Sequence, residues 1–162
     1  MKINKIYFDM DGVLADFNNG IISHGGQLPI GQDEQSMWDT IRENKHFFNR
    51  LTPIPGAIDM FKAIYEKYGN KCELLSAVPK PAKQIVTASE DKKEWAKRFI
   101  GSDTVVNLVY RDEKKNFCKG KDDILIDDFE KNISEWENSG GIGILFTTPE
   151  NVLMQIAEIE QG

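Results

Sequence analysis

The sequence predicts an α/β fold in which helices cover both faces of a parallel sheet, with a small helical cap inserted after the first strand. Two observations predict this architecture. Five short apolar runs alternate with helical patterns along the chain, and such alternation is typical of parallel, doubly wound, Rossmann-like sheets. Polar residues directly follow several of these runs, and such sheets bind ligands at the carboxyl ends of their strands.

The elements of the core are separated by turn residues. The helix predicted at residues 57–68 has apolar side chains on one face and ends at Gly69, a residue that readily terminates helices. The predicted strands lie at residues 2–8, 72–75, 105–110, 124–126 and 142–146. The predicted helices of the core lie at residues 57–68, 90–100, 132–138 and 149–160.

Residues 17–52 are predicted to form the cap, and residues 1–16 and 53–162 the core. Within the cap segment, two helical patterns are separated by glycines and prolines that interrupt them. The stretch Pro53-Ile54-Pro55-Gly56 is stiff and marks the return of the chain to the core.

Composition and charge exclude several classes of function. The chain has 162 residues and a net charge of −6, which argues against a nucleic-acid coat protein and a basic membrane-surface protein. No apolar run approaches the ~20 residues of a membrane span, and no secretory signal pattern precedes the first strand. Cys72 and Cys118 lack partners at metal-ligand spacing and are expected to be idle thiols in a reduced, cytoplasmic setting.

Acidic residues follow two of the predicted strands. Asp9 and Asp11 come directly after the first strand and are followed by Gly12, while Asp127 and Asp128 come directly after the fourth strand. A turn or a strand-to-loop transition would explain either pair alone. Because the carboxyl ends of parallel strands meet at one edge of a sheet, we expect all four acids to lie close together.

Two further strand ends carry a hydroxyl and a cluster of cations. Ser76 ends the second strand, where a serine by itself would indicate only a turn or a helix cap. Several lysines follow the third strand, and such a cluster by itself would indicate only a solvated face. The cluster consists of Lys114, Lys115, Lys119 and Lys121.

Taken together, these groups match the requirements of phosphoryl transfer to a carboxylate. A carboxylate is a weak nucleophile that phosphate repels, so it needs a divalent cation beside it. Mg²⁺ prefers oxygen ligands, and the side chains of Asp9, Asp127 and Asp128, with the backbone carbonyl of Asp11, could supply them. Ser76 could bond a phosphoryl oxygen, and a lysine could offset negative charge in the transition state.

With these motifs in order, the chain resembles the haloacid dehalogenase (HAD) superfamily of phosphohydrolases. Three longer stretches resemble the 5'(3')-deoxyribonucleotidase family. They are Asp9-Met-Asp-Gly-Val-Leu-Ala-Asp-Phe17, Phe47-Phe48 ahead of Pro53-Ile-Pro-Gly56, and Leu125-Ile-Asp-Asp128. This resemblance implies Mg²⁺-dependent hydrolysis of nucleoside monophosphates and a small helical cap after the first motif. The chain departs from some members at Phe129, where they have an arginine after the paired acids.

The resemblance also implies a role for individual residues. Asp9 would be the nucleophile and Asp11 the acid/base, while Ser76 would bind phosphate. Asp127 and Asp128 would both belong to the metal site, with Asp128 favoured as the direct ligand and Asp127 as the alternative. The family's spacing favours Lys115 as the phosphate-binding lysine, with Lys114 as the alternative. Phe17 and Phe48 match aromatic residues that lie near the base, although ordinary packing of the cap would explain them too.

Other functions remain open at this point. A receiver-like signalling module also combines a phosphoacceptor aspartate with acids, a hydroxyl and a lysine, but its acid pair precedes the phosphoacceptor, whereas Asp127 and Asp128 follow Asp9. A related phosphatase could act on a sugar phosphate or a nucleic-acid end, although the acidic chain disfavours a polymeric substrate. The sequence leaves open whether the chain forms a homodimer.

Overall fold

The computed structural model describes residues 2–162, in which five strands form a single parallel sheet. The strand order is β3-β2-β1-β4-β5, and every pair of neighbours is parallel. The strands are β1 (Lys5–Phe8), β2 (Cys72–Ala77), β3 (Val106–Val109), β4 (Asp123–Asp127) and β5 (Ile142–Leu145). The α/β prediction is therefore confirmed.

Helices occupy most of the connections between these strands. The α-helices are α1 (Phe17–Ser23), α2 (Gln35–Glu43), α3 (Ala57–Tyr68), α4 (Ala88–Phe99), α5 (Glu130–Asn138) and α6 (Pro149–Gln161). Short 3₁₀ helices lie at Phe47–Arg50, Gly69–Lys71, Pro81–Lys83 and Arg111–Phe117. No helix within residues 2–162 has the length and apolar character needed to cross a membrane.

The sheet is buried on both faces, as a parallel sheet requires. Side chains of successive strand residues point to opposite faces, so Phe8 and Ile126 join the larger hydrophobic cluster while Tyr7 and Leu125 join the smaller one. Helices α3, α4 and α6 contribute to the larger cluster, and α5 covers the other face through Trp136.

The order of the strands creates a crevice at one edge of the sheet. From β1 the chain moves outward to β2 and β3, and it then returns to the other side of β1 to form β4 and β5. This reversal separates the connections that leave the carboxyl ends of β1 and β4, and ligands bind at such points in parallel sheets. Asp9 follows β1 and Asp127 ends β4, so both stand at the crevice.

Most predicted elements agree with the structure, with two informative differences. The predicted first strand begins at residue 2, but β1 begins at Lys5, and residue 1 of the predicted core lies outside the described residues. The polar stretch after β3, for which the sequence showed no helical pattern, contains the 3₁₀ helix Arg111–Phe117. A 3₁₀ helix has three residues per turn, so the pattern expected of an α-helix does not reveal it.

The segment predicted as a cap contains α1, α2 and the 3₁₀ helix Phe47–Arg50. Its buried side chains, among them Ile21 and Phe47, belong to the same hydrophobic cluster as the sheet. Trp95 of α4 joins the two parts, since its fully buried indole Nε1 donates a hydrogen bond of 2.8 Å to the carbonyl of Leu51.

We expect Trp95→Phe to lower the free energy of unfolding by about 1–3 kcal/mol, because the Leu51 carbonyl would lose its buried donor. Urea denaturation would measure the loss. The matched control is Trp38→Phe, because Nε1 of Trp38 has no hydrogen-bond partner within residues 2–162. Equal losses in the two variants would contradict this account of the Trp95 contact.

Candidate active site

A cavity of about 490 Å³ opens beside the carboxyl ends of β1 and β4. This volume lies in the range of small-molecule sites. The walls combine acids from the two strand ends with a lysine and with aromatic side chains from the segment 17–52. The lining residues include Asp9, Asp11, Asp127, Asp128, Lys114, Phe17, Trp38 and Phe48.

Three carboxylates converge at the base of this cavity. One oxygen each of Asp9, Asp127 and Asp128 can be chosen so that all three lie within 4.8 Å of one another. The backbone N–H of Asp9 donates a 2.9 Å hydrogen bond to the carbonyl of Ile126, which fixes the end of β1 against β4. Asp9 and Asp127 are buried, and Asp128 is the exposed member.

Loss of water and repulsion from Asp127 make the ionised forms of Asp9 and Asp128 unfavourable. Burial raises the pKa of Asp9 well above its ordinary value, repulsion from Asp127 adds to the rise, and the attraction of Lys114 opposes it. For Asp128, the partial loss of water around its carboxyl group and then repulsion from Asp127 raise the pKa to about 6. The site is therefore short of positive charge.

Lys114 supplies one cation to this cluster. Its Nζ donates to Oδ1 of Asp9 at 2.9 Å and to Oδ2 of Asp127 at 2.8 Å, and the side chain is almost completely buried. Burial lowers the pKa of Lys114, but the attraction of Asp9 and Asp127 outweighs it, so the pKa lies above its ordinary value.

The structure brings Lys114, and not the preferred Lys115, to the acids. Lys115 is exposed and does not line the cavity. The reason is the 3₁₀ helix Arg111–Phe117, in which side chains three residues apart share a face. Arg111 lines the cavity, so Lys114 lies on the same side, and Lys115 falls on another.

The two acids after β4 have different surroundings. Asp127 accepts three hydrogen bonds, from Nζ of Lys114 at 2.8 Å, the side-chain amide of Asn132 at 3.0 Å and the backbone N–H of Phe129 at 3.0 Å. Asp128 faces the cavity. Asp127 is thus held in place by protein donors, and Asp128 presents its carboxylate to a ligand.

The donor set fits Mg²⁺. Carboxylate oxygens are the ligands that this ion prefers, and three of them stand within reach of a single position. The side chain of Asp11 is not one of the three clustered carboxylates. The binding of Mg²⁺ by the backbone carbonyl of Asp11 stays a prediction.

Gly12 leaves room for Asp128 beside the loop that follows β1. A Cβ atom at this position would lie 2.0 Å from Oδ2 of Asp128, and the backbone φ of +84° is unfavourable for residues with a side chain. Glycine after Asp11 therefore avoids both a strained backbone and displacement of the Asp128 carboxylate.

Asp11 and Ser76 are joined by a lysine that the sequence reasoning missed. Nζ of Lys92 donates to Oδ2 of Asp11 and to Oγ of Ser76, each at 2.8 Å. Ser76 is fully buried and does not line the cavity, although its neighbour Ala77 does. Lys92 shares the apolar face of α4 with Ala88 and Trp95, and a lysine on such a face is the signal that could have revealed it.

The predicted aromatic residues lie on the cavity wall. Phe17 and Phe48 stack with ring centroids 6.3 Å apart and planes at 24°. Both line the cavity, as does Trp38, whose buried Nε1 lacks an acceptor within residues 2–162. Aromatic faces of this kind suit a flat, apolar ligand group.

The chain is similar to proteins of one family. The family model described as "5' nucleotidase, deoxy (Pyrimidine), cytosolic type C protein" matches residues 29–160. The mitochondrial 5'(3')-deoxyribonucleotidases of Mus musculus and Homo sapiens are each 25% identical over 94% of this chain, which covers 76% and 74% of their lengths. A putative 5'(3')-deoxyribonucleotidase of Vibrio phage KVP40 is 29% identical over 78% of this chain and 67% of its own.

Among solved structures, a hydrolase from Streptococcus pneumoniae TIGR4 is similar over 97% of this chain and 100% of that chain. The TM-score is 0.49 at 16% identity.

We expect Asp128→Asn to raise the melting temperature in EDTA at pH 7.5. In the folded protein the pKa of Asp128 is about 6, above the ordinary 3.8. The contribution of Asp128 to the free energy of unfolding is therefore fully present below pH 3.8 and is lost as the pH rises through 6. Above this window the ionised carboxylate destabilises the metal-free fold, and asparagine removes the charge. Each kcal/mol gained corresponds to about 2–4 °C, which differential scanning fluorimetry resolves.

The same measurement tests the metal site. MgCl₂ should raise the melting temperature of the wild type, because a ligand that binds only the folded state stabilises it, and it should have much less effect on Asp128→Asn. The matched control is Asp112→Asn, which removes an exposed acid outside the cavity. A Mg²⁺ response in Asp128→Asn as large as in the control would contradict the assignment.

Proposed function

Because the chain belongs to the family described as 5' nucleotidase, deoxy (pyrimidine), cytosolic type C protein, we propose that it hydrolyses nucleoside monophosphates through a phosphorylated Asp9 with the help of Mg²⁺. Membership of this family makes the chain a hydrolase of phosphoric monoesters. The proposal is supported chiefly by one observation. The carboxylates of Asp9, Asp127 and Asp128 cluster at the carboxyl ends of β1 and β4, and Lys114 donates hydrogen bonds to Asp9 and Asp127.

Asp9 is proposed to attack phosphorus. A bond forms between its carboxylate oxygen and phosphorus while the bond from phosphorus to the nucleoside oxygen breaks, which leaves an aspartyl phosphate. This step needs an ionised Asp9, which burial disfavours and the hydrogen bond from Lys114 favours. Mg²⁺, when bound, offsets the charge of the carboxylates and of the phosphate.

Asp11 is proposed to move the proton. It gives a proton to the departing nucleoside oxygen and later takes one from the water that attacks the aspartyl phosphate. Phosphate then leaves, and Asp9 and Asp11 return to their starting states. In support, the side chain of Asp11 lines the cavity and stands outside the three-carboxylate cluster.

The metal ligands are proposed to be Asp9 and Asp128, and Asp127 is proposed to orient the residues around them. Asp127 already accepts bonds from Lys114 and Asn132, which suits an acid that orients its neighbours. Lys114 takes the place of the predicted Lys115 as the cation beside the phosphate. Ser76 stays a proposed phosphate ligand only through its hydroxyl hydrogen, because its oxygen accepts from Lys92.

The aromatic wall supports a nucleoside as the group attached to phosphate. Phe17 and Phe48 provide flat faces for a base. A buried N–H without an acceptor is unfavourable, so Nε1 of Trp38 is proposed to donate to an acceptor on the bound substrate. Localisation in the cytoplasm and the oligomeric state stay predictions.

A phosphate-release screen tests the function. We expect purified protein with MgCl₂ to release phosphate from deoxyribonucleoside or ribonucleoside monophosphates and from an aryl phosphate, and EDTA to stop the reaction. Asp9→Asn should abolish turnover of every substrate because the nucleophile is lost. Activity confined to sugar phosphates would overturn the nucleotide assignment, and full turnover by Asp9→Asn would overturn the mechanism.

Replacing each of two adjacent lysines tests the cation. We expect Lys114→Met to lower kcat by at least about 10²-fold, because a charge that stabilises the transition state is lost. Lys115→Met should leave kcat within about twofold, because that side chain is exposed outside the cavity. Steady-state kinetics on the same ester would compare them, and a larger loss in Lys115→Met would restore the assignment made from the sequence.

A further inference from the structure

A second lysine is buried beside the site, and the reaction proposed above does not use it. Lys92 of α4 is 1% exposed. Its Nζ donates three hydrogen bonds, to Oδ2 of Asp11 at 2.8 Å, to Oγ of Ser76 at 2.8 Å and to the carbonyl of Ala77 at 2.6 Å. An ammonium group has three protons, so all of its donors are used.

The environment of this ammonium explains why it can stay buried. A charged group removed from water needs an opposite charge and hydrogen bonds to its remaining protons. The carboxyl group of Asp11 supplies the charge when it is ionised, as it is before it takes a proton from water, and Ser76 and Ala77 at the end of β2 supply the other two acceptors. The ring of Phe48 lies 4.7 Å from Nζ and adds a favourable contact between the cation and its face.

Lys92 therefore holds together groups from three parts of the chain. Asp11 belongs to the loop after β1, Ser76 and Ala77 to β2, and Phe48 to the 3₁₀ helix Phe47–Arg50 on the cavity wall. The carboxyl group of Asp11 has two oxygens, and the lysine engages Oδ2. The other oxygen, Oδ1, forms no hydrogen bond with the residues at 2–162.

We propose that Lys92 is the positioning residue for proton transfer, because its contacts with Asp11 and with the end of β2 orient the carboxyl group toward the departing oxygen of the substrate. This inference rests on the proposed role of Asp11. Lys92 contacts no reacting atom and acts through Asp11.

The dependence on the leaving group tests this role. An alkoxide such as the nucleoside oxygen needs a proton as it departs, whereas 4-nitrophenolate is a stable anion that leaves without one. We expect Lys92→Met to lower kcat/KM about 10²-fold or more for a nucleoside monophosphate and less than about 10-fold for 4-nitrophenyl phosphate. The use of kcat/KM confines the comparison to steps up to phosphoryl transfer.

Two further variants separate positioning from a purely structural role. In an Asp11→Asn background, Lys92→Met should add less than about a threefold loss for the nucleoside monophosphate, because residues that act as a unit are not additive. Lys92→Arg, which keeps the charge, should recover part of the lost kcat/KM. The matched control Lys93→Met replaces an exposed lysine on the same helix and should behave like the wild type.

Equal losses on both esters, or a full additional loss in the Asp11→Asn background, would overturn the proposal. If Lys92→Met does not fold, Lys92→Gln replaces it in the same comparison. If the wild type hydrolyses no phosphate ester, the proposed function fails separately. The crystal structure of the lysine variant then decides the inference, because an Asp11 side chain in its original position would overturn it.

Discussion

The rest of this structure depends on how it compensates the negative charge of the carboxylates at the ends of β1 and β4. Asp9, Asp127 and Asp128 come together where β1 and β4 end. Asp9 and Asp127 are buried, and placing an ion in such surroundings costs several kcal/mol unless opposite charge is near. Lys114 lies between two of the acids, and Lys92 pairs with Asp11. Both lysines are buried, and both come from helices that flank the sheet.

The topology of the sheet brings these groups to one place. Because the chain changes direction between β3 and β4, the carboxyl ends of the neighbouring strands β1 and β4 border a crevice. The 3₁₀ helix after β3 and helix α4 after β2 both lie near this crevice and each contributes one lysine. The segment between β1 and α3 adds aromatic side chains on the open side, so charge and apolar surface meet in one cavity.

The acids were predictable from the sequence, whereas the lysines were predictable only in part, because Lys114 was the alternative to Lys115 and Lys92 was missed. Asp9 and Asp127 directly follow apolar runs, and a buried strand fixes the position of the residue at its end to within a few ångströms. Lys114 lies in a turn of 3₁₀ helix, where counting residues back from an acid pair does not show which side chain points inward. Lys92 lies 16 residues after Ser76, on a helix whose orientation depends on packing against the whole sheet.

The close approach of Gly12 and Asp128 links two loops that are far apart in the chain. Even one methyl group at position 12 would occupy the space of the carboxylate, so the two positions cannot vary independently. Replacement of Gly12 is therefore unfavourable on two grounds, the strained φ of a residue with a side chain and the displacement of the Asp128 carboxylate. Gly12, although it has no side chain of its own, thus restricts the sequences that can form this site.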